Sequence, residues 1–171
     1  TTVDRKLHLI NQPDIVKAEN AAEMFDSVKK HFDKCDCLIM SAAVADYTPI
    51  IKFKTKIKKN NSELTIKLKP TADILKWAGK HKNLNKQGKV KSKIVVGFAL
   101  EDKNLLKNAE KKLIEKNLDM IIANNISSIG NEKTTVYIKS SNSSWQTILD
   151  KPKSFIAKQI IRLIEYHRHE Q

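Results

Sequence analysis

Cys37–Leu38–Ile39–Met40–Ser41–Ala42–Ala43–Val44–Ala45–Asp46–Tyr47 is the stretch whose reading decides the fold. Its four leading apolar residues read as a strand covered on both faces. They open into a loop of small side chains with one carboxylate. Ten residues after Asp46, Lys56–Ile57–Lys58–Lys59 gathers three cations. Small residues let a ligand approach the backbone, and lysines neutralise phosphate, so these two segments suit a triphosphate.

Upstream, Leu7 to Ile10 and Ile15 to Ala18 read as short extended segments. Asn20 then caps a helix, with Glu23 as capping-box partner. Met24, Phe25, Val28 and Phe32 form its apolar stripe. Downstream, Leu64, Ile66 and Leu68 alternate with polar residues, so Glu63 to Leu68 reads as a half-buried strand. Thr71 is placed to cap a short helix through Lys80 that buries Ile74, Leu75 and Ala78. A polar, basic connection follows from His81 to Ser92.

Ile94 to Phe98 and Met120 to Ala123 read as buried strands. Between them Leu105, Leu106, Ala109, Leu113 and Ile114 mark an amphipathic helix ending near Asn117. Val136, Ile138, Trp145 and Ile148 predict a hairpin with a turn over Ser140 to Ser144. Pro152 opens a last helix that turns Phe155, Ile156, Ile160, Leu163 and Ile164 inward. Alternating helices and strands predict an α/β fold with a mostly parallel sheet. Ligands of such sheets sit beyond the carboxyl ends of the strands. The loops Ser41–Tyr47, Ala99–Lys103 and Asn124–Ser128 would converge there.

Composition narrows the class. The 171 residues suffice for one well-cored domain, and a hydrophobic content of 40% argues against disorder. No apolar run approaches the ~20 residues of a membrane span, and no secretory signal is visible. The sequence opens on Thr1 without an initiator Met and so reads as a fragment or processed piece. Cys35 and Cys37 are the only two cysteines, which suits neither a disulfide framework nor a chelate. Free thiols fit a reducing cytoplasm. The net charge of +13 is nearly all lysine, with arginine only at Arg5, Arg162 and Arg168. Nucleic-acid readers favour arginine forks and aromatic stacking platforms, so the charge reads as a mixture of solvated lysine surface and attraction for anionic small molecules, in preference to nucleic acid.

Each candidate site residue has an ordinary alternative. Asp46 could hold Mg²⁺ on a phosphate, accept hydrogen bonds from a ligand amine or hydroxyl, or simply form the turn before Tyr47. Lys56, Lys58 and Lys59 could grip phosphates or form a solvated run. Lys112 and Lys116 project from one helix face, with Glu110 and Glu115 nearby as ion-pair partners. Phe98 could stack on a base or fill the core. Asp73, in a first helical turn, is stabilised by the helix dipole. The five histidines show no metal spacing, and the four glycines stand singly, without a phosphate loop. No Ser/His/Asp constellation is present.

Taken in order, the segments Ala42–Tyr47, Lys56–Lys59, Leu64–Leu68, Asp73–Leu75, Val96–Ala99 and Lys116–Asn124 resemble phosphopantothenoylcysteine synthetase. That is the ligase half of the bacterial bifunctional coenzyme A biosynthesis protein. The resemblance implies a Rossmann-like three-layer α/β fold, with a mostly parallel sheet, helices on both faces and a small β-hairpin near the C-terminus. It implies one nucleotide-binding ligase domain over residues 1–171, and a homodimer. It also implies a cytoplasmic enzyme that joins 4′-phosphopantothenate to L-cysteine using CTP and Mg²⁺.

By the same resemblance the nucleotide site comprises Ser41, Ala42, Asp46, Lys56, Ala72, Asp73, Ile74, Leu75, Phe98, Lys112 and Lys116. Lys56 is implied as catalytic, and Val44, Ala45 and Tyr47 as loop and dimer residues. Asp46 is the one residue offered to Mg²⁺. No flavin, nucleic acid or membrane is expected, and a flavin-dependent decarboxylase is expected as a covalent or separate partner. The family's Gly-rich opening and an Asn-containing segment are not matched, so the domain reads as incomplete at its N-terminus. Glu101–Asp102 stands where Glu–Thr is usual, and Ile129 to Thr135 is shorter than the family's loop. Two other readings follow: a non-catalytic nucleotide-binding or dimerisation fragment of the family, and a lysine-rich polyanion binder.

Overall fold

The computed structural model describes residues 13–51, 53, 55–59, 63–83 and 92–169. The expected segment at 7–10, and most of the connection at 81–92, lie outside them.

Helix α1, Ala21–Phe32, starts where the sequence predicts. Asn20 Oδ1 accepts the Glu23 N–H at 3.0 Å, and Asn20 Nδ2 donates back to the Glu23 carboxylate at 2.6 Å. The chain then enters strand β1, Cys37–Met40. A ribbon of β2, Tyr47–Pro49, and β3, Leu68–Pro70, leaves the body as its own two-stranded sheet. Helix α2, Ile74–His81, strand β4, Ile94–Glu101, helix α3, Leu105–Glu115, and strand β5, Met120–Asn125, complete the alternation. The hairpin β6, Lys133–Ser140, and β7, Gln146–Pro152, leads into helix α4, Lys153–His169.

The main sheet has the order β1-β4-β5-β6-β7. β1 pairs with β4, and β4 with β5, in parallel, while β5/β6 and β6/β7 are antiparallel. Strands β1, β4, β5 and β7 therefore run one way and β6 against them. Side chains alternate across a strand, so the continuous apolar runs of β4 and β5 feed two cores. Val95, Ala99, Ile121 and Ala123 pack with Phe32, Ala78, Ala109 and Leu113 from α1, α2 and α3. Ile94, Val96, Met120 and Ile122 pack with Ile156, Ile160 and Ile164 of α4. Helices thus cover both faces, and the fold is the expected Rossmann-like three-layer α/β arrangement.

Five local expectations are corrected. On α3, Leu106 and Ile114 are exposed, because each stands one residue, about 100° of helix turn, past Leu105 or Leu113 on the inward face. Glu63 to Leu68 is not a half-buried strand: Leu64, Ile66 and Leu68 are each more than half exposed, and pairing starts only at Leu68. No layer covers that ribbon, so alternation has no core to face. Ile15 to Ala18 has no regular structure, and Ile15 is 83% exposed. β1 is an edge strand of the sheet, which leaves Ile39 at 40% exposure and not covered on both faces. Phe155 lies at 40% exposure on α4 and does not enter the core. Among the described residues, no helix is long and apolar enough to cross a membrane. Burial pushes the Cys37 thiol up to about 11, which keeps it a protonated strand residue.

Candidate functional site

β1, β4 and β5 end at the same edge of the sheet, and the loops after β1 and β5 meet the start of α2 there. The meeting point is a cleft of about 700 Å³. Its wall takes Ser41 to Val44 and Asp46 from the loop after β1, Thr71 to Leu75 from the entry to α2, and Phe98 and Leu100 from β4. α3 adds Lys112 and Lys116. The turn after β5 adds Asn124, Ser128, Ile129 and Gly130, and α4 begins at the rim with Lys153.

Two backbone-directed bonds stitch the near wall. The Thr71 N–H donates to the Asp46 carbonyl at 2.8 Å, and the Thr71 hydroxyl donates to the Ala45 carbonyl at 2.6 Å. Thr71 therefore ties the loops together and does not cap α2, as its position suggested. Asp73 is the cap, accepting the Lys76 N–H on Oδ1 at 3.0 Å. Cap geometry needs the side-chain oxygen to reach a backbone N–H two or three residues on, which Asp73 satisfies for a helix starting at Ile74.

Two glycines let these walls close. A Cβ on Gly97 would lie 2.7 Å from Leu118 Cδ1 and 3.1 Å from Leu75 Cδ1. A Cβ on Gly79 would lie 1.9 Å from the Lys116 carbonyl oxygen. The Asn117 side chain, on a left-handed residue with φ of 53°, donates to the Gly79 carbonyl at 2.8 Å. α2 is thereby pressed against the end of α3, and this contact brings Lys116 to Asp73.

The electrostatics follow from that docking. Lys116 Nζ lies 2.9 Å from Asp73 Oδ2, and Lys112 Nζ lies 2.5 Å from Glu101 Oε1. Asn108 Nδ2 donates to the other oxygen of Glu101 at 3.0 Å. Neither lysine uses Glu110 or Glu115, the helix neighbours that spacing offered; Glu110 pairs with Lys139 and Glu115 with Lys111. Burial pushes both carboxyls up, but their hydrogen bonds outweigh it. The Lys76 N–H and the Lys116 ammonium hold Asp73 below its ordinary value. Lys112 and Asn108 do the same for Glu101.

The cleft thus offers fixed cations, a helix N-terminus and small-residue backbone to one ligand. The sequence pattern of the DNA/pantothenate metabolism flavoprotein C-terminal domain (DFP) matches residues 3–167. The chain belongs to this family. The coenzyme A biosynthesis bifunctional protein CoaBC of Borreliella burgdorferi is 38% identical over 159 residues, covering 90% of this chain and 39% of that protein. A cysteine/cysteine sulfinic acid decarboxylase from an unknown prokaryotic organism is 36% identical over 155 residues, covering 88% of this chain and 41% of that protein. The chain therefore spans about two fifths of the length of these curated relatives. The crystal structure of the C-terminal domain of a CoaBC protein shares 29% identity at a TM-score of 0.70, covering 91% of this chain and 66% of that one.

Within this DFP domain, the structure brings Ser41, Ala42, Val44, Asp46, Ala72, Asp73, Ile74, Leu75, Phe98, Lys112 and Lys116 into one wall. Ala45 and Tyr47 lie outside it, Ala45 tied back through its carbonyl and Tyr47 opening the ribbon at 60% exposure. Lys56 also lies outside the wall, exposed on the segment between β2 and β3. That segment is rooted at Asp46 and Thr71, both in the wall. Sequence reasoning did not single out Lys153, and named Leu100, Ile129 and Gly130 only as parts of the loops at 99–103 and 129–135. The rule that ligands collect at strand carboxyl ends pointed towards Asn124 and Ser128, and Asn124 also closes the Lys116–Asn124 segment of the resemblance. Asn124 Nδ2 donates to Ser128 Oγ at 2.7 Å, which shapes that end of the cleft. Among the described residues, no group of three His, Cys, Asp or Glu side chains is placed to hold a metal ion.

Proposed function

We propose that this domain is a phosphopantothenate–cysteine ligase of coenzyme A biosynthesis that uses CTP. The single observation carrying this reading is the cleft itself. Two lysines fixed by carboxylates face a small-residue loop and the N-terminus of α2 at the switch edge of the sheet. Membership of the DFP family and the 38% identity to a CoaBC protein support the same reading.

In this reading the carboxylate of 4′-phosphopantothenate attacks the α-phosphorus of CTP. The bond to pyrophosphate breaks, leaving an acyl-cytidylate. The amine of L-cysteine then attacks the acyl carbon, CMP leaves, and the amine loses its proton. Lys112 and Lys116 hold the triphosphate and stabilise the charge that moves onto pyrophosphate. The backbone of Ser41 and Ala42 lies close along the nucleotide, Ala72 to Leu75 close the opposite side, and Phe98 supports the base. Lys56, on the segment rooted at the cleft, adds a contact to the triphosphate in the transition state.

Mg²⁺ would enter with the nucleotide and neutralise phosphate charge. It fits this donor set, since Mg²⁺ on a nucleotide needs one or two carboxylates. Asp46 supplies one in the wall, and makes no ion pair among the described residues. The chain works as a homodimer in this reading, supported by the exposed apolar side chains of the ribbon: Tyr47, Ile50, Ile51 and Leu68.

Pyrophosphate release dependent on CTP, 4′-phosphopantothenate and cysteine tests the proposal, with ATP replacing CTP in a second arm. Release with CTP that falls about 100-fold in Lys56→Gln is expected, the scale of losing one transition-state charge contact. CTP binding without any release would favour a non-catalytic nucleotide-binding role. An unchanged rate in Lys56→Gln would remove that residue from the chemistry.

A further inference from the structure

Lys112 and Lys116 are both anchored, but by different kinds of carboxylate. Asp73 belongs to the cleft wall and its carboxylate side chain is 40% exposed. A ligand in the cleft therefore meets Asp73 directly. Glu101 lies outside the wall, its side chain only 15% exposed, while its partner Lys112 is 40% exposed and lines the cleft. Glu101 ends β4, one of the two central parallel strands, and so stands on a rigid element. Its second oxygen is taken by Asn108 Nδ2, which also donates to the Lys103 carbonyl at 3.1 Å. Glu101 is thus fixed twice before it meets a lysine.

An ammonium has three donors and no acceptor. Glu101 occupies one from behind, and the other two remain for a ligand in the cleft. A lysine otherwise loses the freedom of a four-carbon stem when it grips a phosphate. Holding the stem in advance removes that cost from binding. We propose that Glu101 is a positioning residue for the triphosphate: it acts through Lys112, by place and not by charge alone. The inference rests on the nucleotide reading above and names a residue which that site did not include. The depressed titration of Glu101 agrees with it, because the carboxylate stays ionised wherever Lys112 is needed.

Charge and place make opposite predictions. If Glu101 were only a counter-charge, removing it would leave the cleft more positive and strengthen binding of an anion. If it positions Lys112, then Glu101→Asp, which keeps the charge and retracts it by one methylene, weakens binding. The test is calorimetric titration of CTP with Mg²⁺ into the protein and into Glu101→Asp, Glu101→Gln, Lys112→Gln and Glu101→Asp/Lys112→Gln. Wild type binds, and Glu101→Asp and Glu101→Gln each weaken binding about tenfold, the scale of one charge-assisted hydrogen bond. In the Lys112→Gln background Glu101→Asp then has no further effect, because the residue through which it acts is gone. Binding by Glu101→Asp as tight as wild type overturns the proposal. So does the same tenfold loss in the Lys112→Gln background, which marks a structural role only. Uptake of neither CTP nor ATP by the wild type overturns the nucleotide reading itself, and the positioning role with it.

Discussion

The cleft and the ribbon carry the same residue type for different reasons. Lys112 and Lys116 hang on a helix buried along Ala109 and Leu113, and each ends on a carboxylate from another element. Lys56, Lys58 and Lys59 stand exposed on the segment between β2 and β3, among exposed Ile57, Leu64 and Ile66. A lysine bound to a rigid wall presents its charge at one place. A lysine on an uncovered segment, Lys56 included, has no such fixed place until a ligand gives it one. The difference lies in what stands behind each side chain, not in the side chain.

The largest way to break this contrast is at Gly79. Gly79→Ala puts a Cβ into the Lys116 carbonyl, so α2 and α3 separate or the backbone strains. A loss of about 3 kcal/mol in urea unfolding is expected, the upper scale of overpacking. Ile66→Ala on the ribbon, at 51% exposure, shifts stability by no more than about 0.5 kcal/mol. Equal losses at the two sites would mean that the ribbon is packed as tightly as the body.

A smaller effect sharpens the comparison through pH. Glu101 is held below its ordinary value of 4.5, so it binds protons less readily folded than unfolded. Its contribution is present above the unfolded value and is lost as pH falls through the lower folded one. The melting temperature of wild type therefore exceeds that of Glu101→Gln at pH 7, and the gap closes in acid, below pH 4.5. A gap that stays constant into acid would show that the carboxylate is not ionised in the folded cleft.

How far the sequence carried the reading differs between the same two regions. The α1 cap, the buried runs of β4 and β5 and the Ala109 and Leu113 positions of the α3 stripe are local signals that the structure holds where the pattern put them, whereas Leu106 and Ile114 of that stripe are exposed. The ribbon misled because alternation at Leu64, Ile66 and Leu68 records a period, not a partner layer. In the cleft, residue types were legible but pairings were not. Glu110 and Glu115 looked like partners by spacing along the helix. The actual partners come from other elements: Glu101 from the end of β4, and Asp73 from a helix cap brought to Lys116 where Gly79 meets the end of α3. Lys153 was invisible for a related reason: only the antiparallel hairpin β6/β7 returns the chain to that rim.

The central claim is that anchored lysines, and not lysine content, make the triphosphate site. Titration of CTP with Mg²⁺ into Lys112→Gln/Lys116→Gln and into Lys107→Gln/Lys111→Gln tests it most directly. Both pairs lie four residues apart on α3 and remove the same charge, but Lys107 and Lys111 are exposed and outside the cleft. The cleft pair is expected to weaken binding about 100-fold or more, two charge-assisted contacts at about tenfold each, and the outer pair less than about twofold. Equal weakening by the two pairs would contradict the claim and leave only a diffuse basic surface.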